Sequence, residues 1–538
     1  MTEPHLEVEA KYEADAAFEM PDLAALVESV RGDGRAPEGD HDPWTAGEAA
    51  TQRLRATYFD TAELDLVRAG LTLRRRTGGA DAGWHLKVPT ADRARSEVRL
   101  PLGRGTTEVP AELESMTYAV TLGRALVPVV RIVTARTVRQ LVDGAGRVRL
   151  EVADDRVTAR RLAAPGTSER DGDDEVWREV EVELVDADPG LLDALDPALR
   201  ASGLVPAGSA SKLARVLGPV ADDGAVGHGA APVNPRPVRA GRWRRSSPAG
   251  DVALAHIGAQ VDQIRALDLP VRLDAPGAVH AMRVASRRLR SALRTYEPLL
   301  RAHRTRPLGI ELRWLAGVLG QARDAEVMRD RVVGSTEQHG SADLDDGARD
   351  EVRGELDATY RAAHDDVLAQ LDGERYRELL AALTGFMADP PLRGRARRPA
   401  GDVLPRLVGR SERRVRRTMR AAHAADDAAR REELLHDARK AAKRARYAAE
   451  SAAPVFGRDA RRLAAAMEAV QEHLGDHLDS LNTRARLTEL ASRTPRPSTA
   501  FALGRLHAQE EVRAEQSAAR ADAAWRAAKK ERLRRWLR

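Results

Sequence analysis

Between residues 218 and 251 the chain reads GPVADDGAVGHGAAPVNPRPVRAGRWRRSSPAGD, rich in Gly, Pro and Ala, and follows neither the two-residue period of a strand nor the 3.6-residue period of a helix. Such a stretch is expected to be a flexible linker. It separates two halves with different periods. Before it come short segments that alternate every second residue: RLRATYFDT, GLTLRRRT, GWHLKVP, SEVRLP, VPVVRIVTARTVRQLV, RVRLEVADDRV and WREVEVELV, set apart by Gly, Pro and Asp turns. Two helical patterns interrupt them, PDLAALVESV and GLLDALDPALRASG. After it the period is helical, apart from a break at DPPLRGRARRPAGD. The expected fold class is therefore α+β and multidomain, mainly antiparallel β first and all-α afterwards.

Composition narrows the chemistry. With no cysteine there is no disulfide framework, no thiolate zinc site and no thiol nucleophile, so any metal must sit on oxygen or imidazole. No apolar run approaches the roughly 18 residues of a membrane span, and MTEPHLEVEAKYEADAAFEM lacks the basic start and apolar core of a signal peptide. The expected location is the cytoplasm, with no membrane partner. A net charge of +5 is modest for 538 residues, so the informative question is where the cations cluster.

In the strand half the charges sort onto one face. Glu7, Glu9 and Lys11 alternate with Leu6, Val8 and Ala10; Arg74 and Arg76 oppose Leu71 and Leu73; His85 and Lys87 oppose Trp84 and Leu86. Glu97 and Arg99 oppose Val98 and Leu100, Arg149 and Glu151 oppose Leu150 and Val152, and Glu179, Glu181 and Glu183 oppose Val180, Val182 and Leu184. Periodicity alone leaves two arrangements open. One is an antiparallel sheet with a solvated face. The other is a sheet closed into a barrel with the charges in its lumen and helices over its apolar exterior. A lumen carrying both signs needs a guest, and a polyphosphate with divalent metal is one: guanidiniums and ammoniums bind phosphate oxygens, and glutamates hold Mg²⁺ or Mn²⁺.

The segment EVEAK matches the ExExK signature of CYTH domains, the triphosphate tunnel metalloenzymes, and YFDT, GLTLRRR, WHLKV, EVADDRV, EVEVEL and SKLARVL follow that family's order. Residues 3 to 217 thus resemble a CYTH domain. The resemblance implies an eight-stranded antiparallel β tunnel with flanking helices that hydrolyses inorganic triphosphate or a related triphosphate with divalent metal. It implies Glu7, Glu9 and Lys11 as catalytic residues and Glu7, Glu9, Glu179 and Glu181 as metal ligands, with Glu151 and Asp154 as further contributors. Arg74, Arg76, Lys87, Arg136 and Lys212 are implied as phosphate-binding. Arg53, Arg55, Glu97, Arg99 and Arg149 lie on strands whose register the sequence does not fix. A polar insertion, GDGRAPEGDHDPWTAGEAATQ, follows the first helix and bears on access to the tunnel.

The helical half repeats itself. HAMRVASRRLRSALRTYEPLL, from His280, aligns with HDARKAAKRARYAAESAAPVF, from His436, at an offset of 436 − 280 = 156, and VLGQARDAEV aligns with HLGDHLDSLN at 155. Two related helical bundles are expected. His280, Arg283, Arg287, Arg290 and Arg294 are spaced 3, 7, 10 and 14 residues from the first, an arc of roughly 80° at 100° per residue. Met282, Leu289, Leu293, Tyr296 and Leu300 lie opposite. The copy keeps His436, Arg439, Lys443 and Arg446 on one arc with Lys440 and Arg444 at its edge, and a third stripe carries Arg406, Arg410, Arg413, Arg417 and Arg420. Like charges at this spacing cost some tenths of a kcal/mol per pair, which a bound polyanion relieves. Single-stranded nucleic acid asks for aromatic platforms, and these stripes are nearly devoid of them. Long inorganic polyphosphate asks only for charge, so no specific nucleic acid is expected.

HAMRVASRRLRS, LGQARDAEV, HDARKAAKRARY and LGDHLDSLN resemble the two repeats of a CHAD domain, the conserved-histidine α-helical family. The resemblance spans residues 249 to 535, with repeats at about 249–337 and 402–492, and leaves 218–248 as linker. It implies two four-helix bundles that bind polyphosphate through His280, Arg283, Arg287, Arg290, Arg294, Arg413, Arg417, His436, Arg439, Lys440, Lys443 and Arg446. The terminal KKERLRRWLR is expected to be a basic tail. Together the halves point to a cytoplasmic, divalent-metal-dependent triphosphatase joined to a polyphosphate-binding module, with association to polyphosphate granules. The alternative is a non-enzymatic polyphosphate-binding protein, and an RNA-associated scaffold is a third reading.

Overall fold

The structure is a computed structural model that describes residues 8–32, 43–89, 95–103, 107–163, 171–185, 187–188, 190–209, 211–218, 243–338, 346–494 and 496–538. Glu7, much of the expected linker and part of the polar insertion lie outside the described residues. The chain divides into two compact units, Met1–Pro232 and Val233–Arg538.

The first unit contains β1 (Val8–Ala14), α1 (Leu23–Gly32), β2 (Thr45–Ala46), β3 (Ala50–Asp60), α2 (Asp65–Arg68), β4 (Thr72–Thr77), β5 (Gly83–Pro89), β6 (Arg95–Leu100) and α3 (Ala111–Thr121). It continues with β7 (Val127–Val142), β8 (Val148–Arg161), β9 (Glu175–Leu184), α4 (Gly190–Ala201), β10 (Val205–Pro206) and α5 (Lys212–Leu217). Every described ladder is antiparallel, in the order β10-β1-β9-β8-β7-β3-β4-β5-β6 with β2 on β7. Eight of these strands have six residues or more. The two-residue β2 and β10 bring the sheet to ten strands, where eight were expected. Among the described residues the ladder ends at β6 on one side and β10 on the other.

The apolar face is the outside, as the alternation requires. Tyr12, Leu150, Val152, Val180, Val182 and Leu184 pack against Leu23, Val27 and Val30 of α1 and Leu191, Leu192, Leu195 and Leu199 of α4. The spacings within each helix place those residues on one stripe. A second cluster lies on the inner face. Ala56, Tyr58, Val130, Ile132, Val157 and Trp177 pack with Leu213 and Val216, so α5 buries its apolar side chains against the inner face. The Ser211 side chain starts α5 by accepting from Ala214 N at 3.1 Å, which leaves Lys212 as the helix's first residue.

The second unit comprises α6 (Ala249–Arg272), α7 (Ala278–Thr295), α8 (Ala302–Gln338), α9 (Asp346–Asp372), α10 (Glu374–Ala388), α11 (Ala400–His423), α12 (Ala428–Phe456), α13 (Arg458–Arg493) and α14 (Pro497–Ala528). The duplication is visible in the packing. Pro248 and Pro399, the residues before α6 and α11, form an antiparallel bridge, with Ala249 N donating to Arg398 O (2.9 Å) and Ala400 N to Ser247 O (2.8 Å). Each copy therefore contains four helices, α6 to α9 and α11 to α14. The terminal segment expected as a tail is seated: Trp536 lies 4.9 Å, centroid to centroid, from Phe456 at the end of α12, and its neighbour Leu537 meets Gly409 of α11. An aromatic residue in a basic run has apolar area to bury, and charge alone did not reveal that.

Candidate functional site

In the first unit the charged cluster follows from register. Antiparallel partners share a face, so Lys11 opposite Glu181, Asp155 opposite Glu179, and Arg136 opposite Asp155 put four strands' charges together. Tyr58 opposite Arg74, Arg74 opposite His85 and Lys87 opposite Glu97 do the same on the other flank. Strands β9 and β4 are four ladder steps apart, which in a flat sheet separates them by about 19 Å at about 4.8 Å per step. Yet burial, which lowers the Arg74 pKa, is outweighed by Tyr58, Glu97 and Glu181, which raise it. The sheet is thus curled far enough to bring its flanks within electrostatic reach of each other, and Tyr58 of β3 and Trp177 of β9 share one apolar cluster.

Glu181 is the hub. It accepts from Lys11 Nζ at 2.8 Å, Lys212 Nζ at 3.0 Å and Arg136 Nη2 at 2.5 Å. Burial alone would raise its pKa, but Lys212, Lys11 and Arg136 hold the carboxyl well below its ordinary range. Arg136 also forks onto Asp155, Nε to Oδ1 at 2.8 Å and Nη2 to Oδ2 at 2.7 Å. The Lys212 ammonium meets Asp155 at 2.9 Å and Glu179 at 2.5 Å. Trp177 Nε1 donates to the other Glu179 oxygen at 2.7 Å and fixes that carboxylate. A second pole forms at Glu97, with His85 Nδ1 at 3.0 Å, Arg99 Nε at 2.6 Å, Arg74 Nη2 at 3.8 Å and Lys87 Nζ at 3.9 Å. Arg76 pairs with Asp81, and burial beside Arg74 and Arg136 pushes its pKa down to about 9.

The donor set suits a hard divalent cation. Asp155, Glu179 and Glu181 each offer an oxygen within 4.8 Å of the others, the all-oxygen environment that Mg²⁺ and Mn²⁺ take. The Lys212 ammonium stands among those oxygens, a protein cation where a metal would be.

Sequence reasoning placed most of this cluster, with exceptions. Glu9 bonds Lys11 at 3.1 Å and lies outside the carboxylate trio. Asp154 points to the opposite face, where Arg178 Nε and Nη2 donate to it at 2.9 and 2.8 Å. Asp155, which the sequence reading did not single out, stands in the cluster where Asp154 was expected, and its parity with Glu151 was the available signal. Arg53 and Arg55 are exposed on the outer face, because Leu54, Ala56 and Tyr58 are the inward residues of β3. Arg149 pairs with Asp143 at 2.9 Å and Glu151 accepts from Gln140 at 2.9 Å, both away from the hub. Buried Tyr58, beside Arg74, carried no charge to mark it in the sequence.

The second unit gathers cations of which only some have an ion-paired carboxylate, as Arg283 has Asp324 at 3.3 Å. Burial lowers the pKa of exposed His280, and so do Arg323, Arg283 and Lys443; burial likewise lowers that of His436, with Lys440, Arg439 and Arg287 acting the same way. Lys443 and Arg287 occupy equivalent places in the two copies, so α7 and α12 face each other symmetrically. Among the described residues Arg287, Arg290, Arg294, Arg439, Lys443 and Arg444 make no ion pair or hydrogen bond. Burial and neighbouring guanidiniums push Arg287 and Arg444 down to about 10. Arg283 and Arg439 lie against glycines: a Cβ on Gly320 would sit 3.5 Å from Arg283 Nη2, and one on Gly475 would sit 3.2 Å from Arg439 Nε. The Leu-Gly pair in each copy is thus a flat seat for a guanidinium. Arg446 is spoken for by Glu450 at 2.7 Å and Glu468 at 2.6 Å, and Lys440 lies 3.5 Å from Asp437. Arg413 and Arg417 are exposed on α11, but Arg414 is the residue of that helix that acts on Arg444.

Known proteins resemble both units. The CYTH domain model matches residues 30–216 and the CHAD domain model matches residues 255–488. Uncharacterized proteins from two strains of Mycobacterium tuberculosis are each 36% identical over 544 residues, spanning 97% of this chain and 96% of theirs. Among solved structures, PptA from Streptomyces chartreusis is 23% identical, with a TM-score of 0.44 over 52% of this chain and 100% of its own. The CHAD domain from the plant Ricinus communis is 27% identical, with a TM-score of 0.44 over 56% of this chain and 98% of its own. No described helix is long and apolar enough to cross a membrane.

Proposed function

The chain belongs to the family that joins a CYTH domain to a CHAD domain, and on that premise we propose a two-part function. The tunnel hydrolyses inorganic triphosphate, or a related triphosphate or short polyphosphate, with Mg²⁺ or Mn²⁺. The helical domain binds long inorganic polyphosphate. The observation that carries the reading is the convergence of Asp155, Glu179 and Glu181 with Lys11, Arg136 and Lys212 on the inner face of the curled sheet.

Asp155, Glu179 and Glu181 would hold the metal, with Glu9 beside them. The metal would neutralise phosphate charge and polarise the phosphoryl group. Lys11, Arg136 and Lys212, relieved of their carboxylates, grip the phosphate oxygens, and Arg74 and Lys87 do so from the facing flank. Holding the chain from both flanks orients its phosphorus for in-line attack by water. Leu213 and Val216 of α5 pack against the inner face beside Lys212, and a phosphate chain would present its last phosphoryl group to the carboxylates there. In the helical domain Arg283, Arg287, Arg439 and Lys443 form the centre of the polyphosphate face, with His280 and His436 flanking it.

Phosphate release from triphosphate by the full chain, with and without Mg²⁺ or Mn²⁺, tests the tunnel. Glu181→Gln should lower turnover by at least about a hundredfold, the scale of losing one preorganised electrostatic group. Arg287→Gln with Arg439→Gln should weaken polyphosphate retention and leave triphosphate turnover intact. A tunnel that binds without hydrolysing is the competing reading, favoured by the Lys212 ammonium already seated among the carboxylates. Metal-independent binding with no phosphate release would establish it.

A further inference from the structure

His85 of β5 is 1% exposed, and both of its ring nitrogens lie on oxygens. Nδ1 is 3.0 Å from Glu97 Oε1 on β6, and Nε2 is 2.9 Å from the backbone oxygen of Asp81 in the turn between β4 and β5. The Asp81 oxygen can only accept, so the bond there needs a proton on Nε2. Glu97 makes the same demand of Nδ1, because His85, Lys87 and Arg74 outweigh its burial and keep it ionised. Neutral imidazole has one N–H and meets one of these demands; imidazolium meets both. Each acceptor residue also holds cations of the inner face. Glu97 stands 3.8 Å from Arg74 Nη2 and 3.9 Å from Lys87 Nζ, and the Asp81 carboxylate pairs with Arg76. Arg74 Nε and Arg76 Nε are buried and make no hydrogen bond among the described residues, so both guanidiniums keep a donor for a phosphate oxygen.

We propose that His85 is a positioning residue for the triphosphate grip, bonding Glu97 on one side and the Asp81 backbone on the other and so fixing the two carboxylates that aim Arg74, Lys87 and Arg76. The inference rests on reading the tunnel as a triphosphate site, and the experiment separates the two. The ring is framed by Arg74 and Arg76 of β4, Asp81 of the turn, Lys87 of its own strand, and Glu97 and Arg99 of β6. Burial lowers the His85 pKa; the bond to Glu97 opposes that, and Arg74 and Arg76 add to it, so the ring resists its second proton. A phosphate chain on Arg74 and Arg76 cancels the repulsion that those two guanidiniums exert. His85 then protonates as triphosphate arrives and completes both bonds, so acid favours binding.

The full chain is assayed for phosphate release from inorganic triphosphate with Mg²⁺ across the range from mildly acidic to mildly alkaline pH, and triphosphate affinity is titrated calorimetrically in parallel. The proteins are the wild type, His85→Ala, His85→Asn and His85→Gln. Asparagine carries its amide nitrogen on Cγ, as Nδ1 is carried, and can still donate to Glu97; glutamine carries its nitrogen one carbon further out and serves the Asp81 oxygen instead. His85→Ala should raise KM and Kd about tenfold and change kcat less than about twofold, the pattern of lost binding shared by ground and transition states. His85→Asn should recover most of that loss in alkali and fall behind the wild type in acid, where only imidazole can add the second bond. The charges of triphosphate and metal titrate alike in every protein, so the ratio of Kd in His85→Asn to Kd in the wild type isolates the ring; it should grow at least about threefold from the alkaline to the acidic end. Where the alanine variant does not fold, that ratio carries the comparison. A flat ratio, or variants that lose kcat with KM unchanged, overturns the proposal while leaving the triphosphatase reading in place. If the wild type binds triphosphate without releasing phosphate and the ratio still grows, hydrolysis fails and the positioning role stands. If the wild type does not bind triphosphate, both fail.

Discussion

Replacing Lys212 by methionine tests how the tunnel handles charge in the absence of metal. The Lys212 ammonium lies 2.9, 2.5 and 3.0 Å from Asp155, Glu179 and Glu181, and its side chain is 13% exposed. Methionine keeps an unbranched chain one atom shorter and removes the charge, leaving Arg136 and Lys11 to hold carboxylates that three cations now share. Breaking a buried pair from one side costs about 3–5 kcal/mol. At about 2–4 °C per kcal/mol for a domain of this size, the tunnel's calorimetric transition in the full chain should fall by about 6–20 °C. Divalent metal should narrow the gap. An ammonium about 4 Å from a divalent ion is repelled by about 8 kcal/mol at an effective dielectric of 20, so in the wild type Lys212 has to withdraw before the site can load. Without it the carboxylates bind metal more tightly by at least about tenfold, or 1.4 kcal/mol. Scans with and without Mg²⁺ should therefore show a larger metal-induced rise in Lys212→Met than in the wild type. A variant that unfolds at the wild-type temperature without metal, or gains no more from it, refutes the assignment of Lys212 as the resident counterion.

Gly475→Ala puts a Cβ 3.2 Å from Arg439 Nε, so the guanidinium must move. Polyphosphate affinity should drop about fivefold, or about 1 kcal/mol, in a titration. Because alanine favours helix over glycine by about 1 kcal/mol, the helical signal should be unchanged; a parallel loss of helix would make the glycine merely structural. Leu195→Ala empties a position of α4 that is 1% exposed and should destabilise the tunnel domain by about 2–5 kcal/mol in calorimetry; a loss below 1 kcal/mol would mean that α4 does not seal the sheet. Lys443, flanked by Arg283 and Arg287 of α7, by Arg439 and Arg446 of α12 and by His280, takes up fewer protons folded than unfolded between about pH 6 and its ordinary 10.5. Stability of the helical domain should thus rise from pH 7 to pH 9, and Lys443→Met should flatten that slope; equal slopes in both proteins would contradict the assignment.

The strand alternation made the inner face of this tunnel legible from sequence, because a period of two leaves each residue only two faces. Glu181, Lys11 and Arg74 were found that way, whereas Arg136 came only from the resemblance to CYTH domains. The failures are one-residue errors of parity. Asp154 and Asp155 are adjacent and chemically alike, and only counting from Glu151 along β8 tells them apart. Arg53 and Arg55 look like members of the charged face, but β3 turns Leu54, Ala56 and Tyr58 inward. Its bulge between Tyr58 and Phe59 is invisible to a pattern search. In the helical unit, arcs of arginine were legible from the 3.6-residue period. The pairing of α7 with α12 was not, since a helical period sorts residues onto faces without saying which helix each face meets.

On the proposed function the two sites would bind anions with opposite charge balance, which gives metal a role in only one of them. In the tunnel each cation at the hub has a carboxylate: Lys11 and Arg136 on Glu181, Arg136 again on Asp155, Lys212 on all three. A phosphate entering there has to displace carboxylates that stay buried, and an unpaired buried carboxylate is costly. A divalent ion on those carboxylates removes the cost and frees the cations in one exchange, so phosphate and metal should bind together. On the helical face Arg287, Arg439 and Lys443 make no ion pair among the described residues, and Asp479 acts on Arg439 only from a longer range. A polyanion meets repulsion already stored between like charges, binding needs no metal, and salt should weaken it by screening.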